Sequence, residues 1–433
     1  MSAPYAELLV RKVLRRLLPL AMLLLVFNLI DRTNISFAAL QMNAALRFTP
    51  SVYGFGAGIF FIGYFLFEVP SNLVMVRVGA RPWLARITIT WGLVVLCMAW
   101  IRGASSFYWL RFLLGVAEAG LLPGVLLYLS RWVPLKHLGL AFSLLMSSTA
   151  IANVLSGPIA GGLLEVEGLW GLSGWQLMFI VEGMSTVVIG LALIAYLPER
   201  PADASWLEQH ERIWLRETLA REEQRKAAAG VTAFRQAFLD RRVLSATLVG
   251  FLFVCCNFGT VFWLPQIIKS LSALSPLQVG ILSAVPYLIG GTATVLWGRH
   301  SDHTHDRKWH LVAAASLGAA GYLWAALAPG AVMALTGLCI ATLGIWSMFG
   351  VFWAHAGDLL GGAAAAGGFA FINSFSTLGG FVGPVLMGMV REQTQSFSGS
   401  LLVLAAFAAL TAGAAMLIEN TRAAVSEVEP LAT

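Results

Sequence analysis

Runs of about twenty apolar residues, separated by short polar segments, recur along the whole chain of 433 residues. Each run is long enough to cross a hydrocarbon core of about 30 Å as an α-helix. Hydrophobic residues make up 58% of the chain and charged residues only 12%, against about 25% charged residues in soluble domains. The sequence therefore predicts an all-α polytopic membrane protein.

Twelve membrane spans can be placed by this pattern. They lie near residues 17–40, 53–75, 83–101, 106–130, 140–164, 173–197, 243–268, 277–298, 311–328, 332–357, 367–390 and 398–418. The basic N-terminal segment precedes an apolar stretch that is too long for the core of a signal peptide, so we interpret it as an uncleaved first span. The four cysteines lie inside spans without metal-ligand spacing, which indicates small apolar fillers.

Basic residues concentrate on one side of these spans. If the N-terminus is cytoplasmic, the external segments contain only Arg47, Arg102, Lys269 and Arg391. The positive-inside rule then predicts a multi-pass protein of the inner (plasma) membrane with both termini in the cytoplasm. Cytoplasmic loops also account for the formal net charge of +6, so we expect the lipid bilayer as a partner and no nucleic acid.

The longest polar stretch separates six spans from six. This division predicts an N-terminal six-helix half at 1–197, a cytoplasmic linker at 198–242, a C-terminal half at 243–419 and a cytoplasmic tail at 420–433. In the linker, Trp206, Leu207, Ile213, Trp214 and Leu215 alternate with charged residues, which indicates a short amphipathic helix at the membrane surface.

The two halves repeat one another. One ungapped offset of 226 residues aligns the helix boundaries together with the glycine, proline and loop arginine positions, as in Gly54 with Gly280, Arg81 with Arg307 and Gly157 with Gly383. Six is an even number, so both halves enter the membrane the same way up. The sequence thus predicts two pseudo-symmetric halves, the arrangement of transporters with a site near the midplane.

Four ionisable side chains lie inside the first and fourth spans, namely Asp31, Arg32, Arg111 and Glu118. The offset replaces them in the second half by Asn257, Phe258, Gly337 and Gly344, so all four charges are confined to the first half. At 1.5 Å per residue, Asp31, Glu118 and the nearby Tyr64 lie about 15 to 18 Å deep. Arg111 and Glu118 are two helical turns apart and share one face.

Two interpretations of these charges stay open. A charge at the bilayer centre costs at least about 2.5–3.5 kcal/mol, so such groups usually pair or face a cavity. They could form a structural network that only ties spans one and four together. Alternatively, Arg32 and Arg111 offer permanent charges to a substrate carboxylate, while Asp31 and Glu118 take up and release protons.

Several stretches resemble one transporter family. They are "IDRTNISFAALQM", "GFGAGIFFIGYFLFEVPSNL", "RVGARPW", "RFLLGVAEAGLLPG" and "SGPIAGGLL". The chain resembles the anion:cation symporter family of the major facilitator superfamily, especially its bacterial tartrate, phthalate, hydroxyphenylacetate and sugar-acid permeases. The resemblance implies the major facilitator fold, with spans 1, 4, 7 and 10 around a cavity. It also implies Asp31 and Glu118 as proton carriers, and Arg32 and Arg111 as the anion-recognising pair.

The second half offers neutral polar groups at the same depth. Asn257, Tyr287 and Asn373, together with Tyr64 of the first half, could bind substrate hydroxyls or a second carboxylate. Glu68 could join the proton path or only pack helices. Glu182 is favoured as a structural residue, because the sixth span is peripheral in the family's fold.

The loops after spans two and eight suggest a gate. Superfamily members usually carry a G-x-x-x-D pattern there. In the first half, Asn72 and Val76 stand where the pattern has glycine and aspartate, whereas the second half keeps Gly298 and Asp302. We therefore predict gate residues Arg81, Asp302 and Arg307. A cluster of histidines, His300, His303 and His305, is interpreted as part of a solvated gate loop and not as a metal site.

Together these features predict a proton-coupled importer of a small organic anion that works by alternating access. The acid could be tartrate, an aromatic acid or a sugar acid, and an anion exchanger or uniporter on the same fold is the alternative. Motifs of membrane enzymes such as H-E-x-x-H and G-x-S-x-G are missing from the sequence, so no enzyme is predicted. We expect a monomer that needs no cofactor beyond the proton as coupling ion.

Overall fold

The computed structural model describes residues 3–228, 240–271, 273–359 and 365–418. Within these ranges the chain is helical and contains no β-strand. The tail predicted at 420–433 and residues 229–239 of the predicted linker lie outside the described residues. The predicted all-α class is confirmed for the part that the structure describes.

Fifteen α-helices follow one another along the described chain. In the first half they are α1 (Ala3–Ala45), α2 (Pro50–Val78), α3 (Ala80–Met98), α4 (Ala104–Glu118), α5 (Leu121–Ser130), α6 (Leu135–Leu164) and α7 (Gly174–Tyr196). The linker helix is α8 (Gln209–Ala228). The second half has α9 (Arg241–Leu271), α10 (Pro276–Thr304), α11 (Lys308–Leu327), α12 (Ala331–Leu359), α13 (Ala365–Thr377), α14 (Gly379–Thr394) and α15 (Phe397–Met416).

These helices make the twelve predicted spans, because α4 with α5 and α13 with α14 are each one interrupted span. Eleven spans among the described residues are long and apolar enough to cross a membrane by length and composition. The twelfth is α3, whose first turns carry Arg81 and Arg86 and are therefore less apolar. It packs against α7 through Gly92 and Gly183, where an added Cβ would strike the backbone of the neighbouring helix.

The predicted repeat is visible in the helix boundaries. Shifted by the same 226 residues, α2 at Pro50–Val78 coincides with α10 at Pro276–Thr304. The halves differ where a span is interrupted: the fourth span breaks after Glu118, whereas its counterpart α12 runs unbroken. Gly120 adopts a left-handed φ of 86° at this break, a conformation that glycine reaches at little cost. Glu118 consequently lies at a helix end inside the span.

The chain forms two compact units that do not follow the two halves residue by residue. Counting only described residues, the first unit is drawn from Met1–Asn34, Gly63–Ser156 and Val166–Gly230. The second is drawn from Ile35–Ile62, Gly157–Glu165 and Val231–Thr433. Each of the helices α1, α2 and α6 therefore has one end in the first unit and the other end in the second.

Close backbone contacts hold the second unit together where α6 meets α10. A Cβ at Gly157 would strike the carbonyl oxygen of Gly280, and a Cβ at Gly280 would strike that of Gly157. Nearby, the Tyr53 hydroxyl donates a 2.6 Å hydrogen bond to the carbonyl of Phe262. Small residues at such crossings let helix backbones approach closely, so this contact depends on glycine at both positions.

The linker helix α8 is fastened to the start of α1. Lys12 Nζ donates to Glu211 Oε2 at 2.7 Å, and the backbone N–H of Glu208 donates to the same oxygen at 2.8 Å. Burial acts to raise the pKa of Glu211, but these hydrogen bonds outweigh it and hold the pKa below its ordinary value. The carboxylate thus caps α8 and ties it to α1 at once.

Replacing Glu211 by glutamine is expected to lower the thermal unfolding midpoint by about 1–2 °C at pH 7. The effect is small because the Lys12 side of the ion pair is exposed, so its charge is screened by solvent. A depressed folded-state pKa stabilises the protein above the unfolded value of about 4.3, and this contribution is lost as the pH falls through the folded value. The difference between the two proteins should therefore shrink as the pH is lowered below that unfolded value. Glu217→Gln, in the exposed pair with Arg221, is the control; a Glu211→Gln difference that persists in acid would contradict this account.

Candidate functional site

Helix α1 presents two polar faces in the middle of its length. Asn28 and Arg32, four residues apart, lie on one face, and Asp31 and Asn34, three residues apart, lie on the next. All except Arg32 are buried. Consecutive residues on a helix point about 100° apart, so Asp31 and Arg32 cannot serve the same partner.

The first face forms an ion pair with the end of α4. Arg32 donates from Nε at 3.1 Å and from Nη2 at 2.9 Å to Glu118 Oε2, and Asn28 Nδ2 donates to the same oxygen at 2.8 Å. The other carboxylate oxygen of Glu118 is buried and has no hydrogen-bond partner among the described residues. Among the described residues, the hydrogen bonds to this carboxylate are thus all made to one oxygen.

Accessibility differs across this pair. The Arg32 side chain keeps 15% of its surface exposed, whereas Glu118 keeps none. The Arg32 guanidinium lies 5.3 Å from the ring centroid of Tyr64, a distance at which a cation is attracted to the ring. Arg111 is fully buried. Of the two arginines, only Arg32 therefore has exposed surface.

The second face of α1 holds Asp31 among α3 and α7. Asp31 Oδ2 accepts hydrogen bonds from Trp91 Nε1 at 2.7 Å and from Thr186 Oγ1 at 2.6 Å. Asn34 Nδ2 donates to Glu182 Oε2 at 2.7 Å. Within the described part of the chain, neither carboxylate forms an ion pair, and Oδ1 of Asp31 and Oε1 of Glu182 are buried without hydrogen bonds.

The structure therefore brings Arg32, Glu118 and Tyr64 together and places Asp31 in a second, neighbouring set. Sequence reasoning missed Asn28, Trp91 and Thr186 as partners. For Asn28 a signal existed, since it is the single polar residue in the apolar run 20–30 and precedes Arg32 by one helical turn. Trp91 and Thr186 carry no such signal, because each is an ordinary residue of an apolar span.

In the second unit, the predicted polar residues lie on three helices. Asn257 on α9 and Tyr287 on α10 are buried, with 7% and 5% of their surface exposed. The Tyr287 ring lies 5.4 Å from that of Trp346. Oδ1 of Asn257 has no hydrogen-bond partner among the described residues. Asn373, on α13, is partly exposed.

A family comparison decides what kind of protein carries these groups. The model of the Major Facilitator Superfamily matches residues 21–384. The chain belongs to the major facilitator superfamily. This confirms the superfamily expected from the sequence motifs.

Relatives in this superfamily are similar along most of their length. The chain is 45% identical over 402 residues to a "Putative tartrate transporter" of Agrobacterium vitis, covering 93% of this chain and 89% of the relative. It is 39% identical over 395 residues to a "Quinolone resistance transporter" of Acinetobacter baumannii, covering 91% of each. A solved bacterial homolog of the human lysosomal transporter Spinster matches the whole of both chains with a TM-score of 0.81 and 16% identity, which shows the shared fold.

In this major facilitator protein, the predicted gate residues lie at or next to helix ends: Arg81 near the start of α3, Asp302 near the end of α10 and Arg307 between α10 and α11. Arg307 Nη1 donates to Asp302 at 2.5 Å and Arg307 Nε donates to Asp358 at 3.3 Å. Burial acts to lower the pKa of Arg307, but hydrogen bonds to both aspartates outweigh it and raise the pKa. Arg81 donates to the backbone carbonyl of Ile194. The role of these residues as a gate stays a prediction.

Proposed function

We propose that this superfamily member imports a small organic acid together with a proton, with both termini in the cytoplasm of the producing cell and the spans in its inner membrane. The observation that carries the proposal is the ion pair between Arg32 and Glu118, in which the arginine is partly exposed and the carboxylate is fully buried. Such a pair allows one carboxylate to replace another on the same guanidinium.

The replacement couples the two solutes. A buried charge is tolerated only with a counter-charge or a proton. When Glu118 takes up a proton, Arg32 loses the negative charge that it faces, and the carboxylate of an incoming acid restores the ion pair with charge-assisted hydrogen bonds. Neither the proton nor the anion alone leaves the site compensated, so the two move together as the protein alternates its access.

Asp31 and Glu182 supply a second proton-binding set in this proposal. Both are buried and lack ion pairs within the described residues, so a proton is the available means of neutralising them. Thr186 and Trp91 hold one Asp31 oxygen as hydrogen-bond donors and leave Oδ1 for the proton. Glu182, interpreted as structural in the sequence analysis, is proposed here as a partner of this set.

Substrate class follows from the cation and from the relatives. A guanidinium with a tyrosine beside it suits a carboxylate, and the tartrate transporter name of a relative points to a hydroxylated acid. That Asn257, Tyr287 and Asn373 bind the remaining polar groups stays a prediction. A thermal-shift panel of tartrate, phthalate, hydroxyphenylacetate and sugar acids on the purified protein identifies the acid; a panel without any shift would count against the proposal.

Uptake of that acid into proteoliposomes with an imposed inward proton gradient tests the coupling. We expect the gradient to accelerate uptake and to drive accumulation above the external concentration. A rate that is insensitive to the gradient would support an exchanger or uniporter instead.

Glu118→Gln is expected to separate exchange from accumulation. Glutamine keeps an oxygen for Arg32 and Asn28 but cannot take up a proton. The variant should retain exchange of labelled for unlabelled acid and lose gradient-driven accumulation. Glu217→Gln, at an exposed glutamate of the linker helix α8, is the comparison and should accumulate the acid like the wild type. Accumulation by Glu118→Gln at the wild-type level would remove Glu118 from the coupling.

A further inference from the structure

A polar cavity lies within the first unit, and the paired charges Arg32 and Glu118 are not part of its lining. This cleft has a volume of about 1500 Å³ and is lined by segments of α2, α3, α5, α7 and the linker helix α8. Six arginines line it: Arg77, Arg81, Arg86, Arg131, Arg200 and Arg216. Its lining includes two acidic residues, Glu199 and Glu222. We call it the arginine cleft.

The two glutamates are already engaged by the backbone. Glu199 accepts hydrogen bonds from the N–H groups of Ala80 at 2.9 Å and Arg81 at 2.8 Å, at the start of α3. Glu222 accepts from the N–H of Leu135 at 3.1 Å, at the start of α6. Among the described residues, none of the six arginines forms an ion pair. The cleft therefore keeps an excess of positive charge.

Arg86 shows this excess most clearly. Its Nε is buried without a hydrogen-bond partner among the described residues, and its guanidinium lies 3.9 Å from the ring centroid of Trp83. The ring holds the plane of the guanidinium, and the Nε–H is left as a donor for an anion bound in the cleft. A multivalent oxyanion such as a phosphate matches several such guanidinium groups at once.

Apolar residues of the same lining indicate where the anion comes from. Val76 and Ile194 line the cleft and are 57% and 45% exposed, and Leu127 and Ile89 add further apolar surface. A free phosphate ion would leave these side chains in water, whereas the acyl chains of a lipid would cover them. Basic pockets between membrane helices on the cytoplasmic side are suited to anionic head groups.

We propose that the arginine cleft binds the phosphate head group of an anionic phospholipid, with the acyl chains against Val76 and Ile194. The cleft is lined by the linker helix through Arg216 and by the ends of α3 and α7 through Arg81 and Ile194. A bound lipid consequently joins the linker to the membrane helices. This site is separate from the proposed transport site, and its test does not depend on transport.

Native mass spectrometry of the full-length protein in detergent with added phosphatidylglycerol tests the proposal. The variant Arg86→Gln/Arg131→Gln/Arg216→Gln should bind phosphatidylglycerol at least about tenfold more weakly than the wild type. Arg221→Gln is the matched control, because Arg221 lies on the same helix as Arg216, pairs with Glu217 and does not line the cleft. Equal binding by the triple variant and the control would overturn the site.

Two further binding measurements test whether the ligand is an anionic lipid. Phosphatidylcholine should bind at least about tenfold more weakly than phosphatidylglycerol, and inorganic phosphate should displace the lipid only poorly; equal binding of both lipids, or full displacement by millimolar phosphate, would overturn the anionic-lipid assignment. If the triple variant fails to fold, Arg131→Gln and Arg216→Gln are measured singly, since both residues are exposed. Each should bind phosphatidylglycerol about threefold more weakly, and unchanged binding by both would overturn the proposal.

Discussion

Replacing Arg32 by lysine is expected to lower the initial rate of organic-acid uptake about 100-fold. Arg32 uses two nitrogens, Nε and Nη2, on a single carboxylate oxygen of Glu118. Lysine keeps the positive charge, but it is a point charge without the planar pair of donors. Loss of about 2.7 kcal/mol, within the range for hydrogen bonds to charged groups, corresponds to this factor.

The measurement is uptake of the identified acid into proteoliposomes at equal protein content. Arg102→Lys is the control, because Arg102 is exposed and lies between α3 and α4, so its uptake should equal that of the wild type. Retained uptake by Arg32→Lys, with unchanged KM and unchanged response to the proton gradient, would show that the anion binds elsewhere. Binding in the thermal-shift assay should fall in parallel with uptake, which distinguishes a lost site from a slowed conformational change.

Replacing Gly157 by alanine is expected to lower uptake about 30-fold while the protein still folds. The new methyl group would clash with the backbone carbonyl of Gly280. A helix backbone cannot relieve such a clash by a rotamer change, as a flexible side chain can. Over-packing costs about 2 kcal/mol in the middle of its range, which corresponds to this factor. The arrangement in which α6 and α10 touch is destabilised, so a cycle that passes through it is slowed.

Gly162→Ala is the matched control on the same helix. There an added Cβ has only Leu277 Cδ1 nearby, at 4.0 Å, an ordinary van der Waals contact. We expect wild-type uptake from it, and unchanged acid binding in the thermal-shift assay from both variants. If Gly157→Ala transports as fast as Gly162→Ala, the close contact between α6 and α10 is not required in the cycle.

The two consecutive charges of α1 show most clearly what could be predicted from the sequence. That Asp31 and Arg32 sit inside a span, with Arg111 and Glu118 in the fourth span, follows from the apolar runs around them. Their partners do not follow. The depth of the four charges in the membrane predicted one shared cluster. In the structure, the rotation between consecutive helix residues places Arg32 against Glu118 and Asp31 against Trp91 and Thr186.

The linker shows the same limit. Its apolar residues predict a surface helix, and α8 is present. Its attachment through Glu211 to Lys12, 199 residues away in sequence, could not be anticipated, since both are ordinary charged residues in a basic chain. The break after Glu118 did have a local signal, because Gly120 and Pro123 follow it within five residues and glycine and proline are common at helix ends.

By itself the sequence determined the medium, the number of spans, the repeat and the presence of intramembrane charges. Each of these depends on hydropathy and spacing over about twenty residues, which local composition records. Only the tertiary structure decided which charge pairs with which and that six arginines share one cleft. Those outcomes depend on side-chain direction and on contacts between residues 60 to 155 positions apart, and no local pattern carries that information.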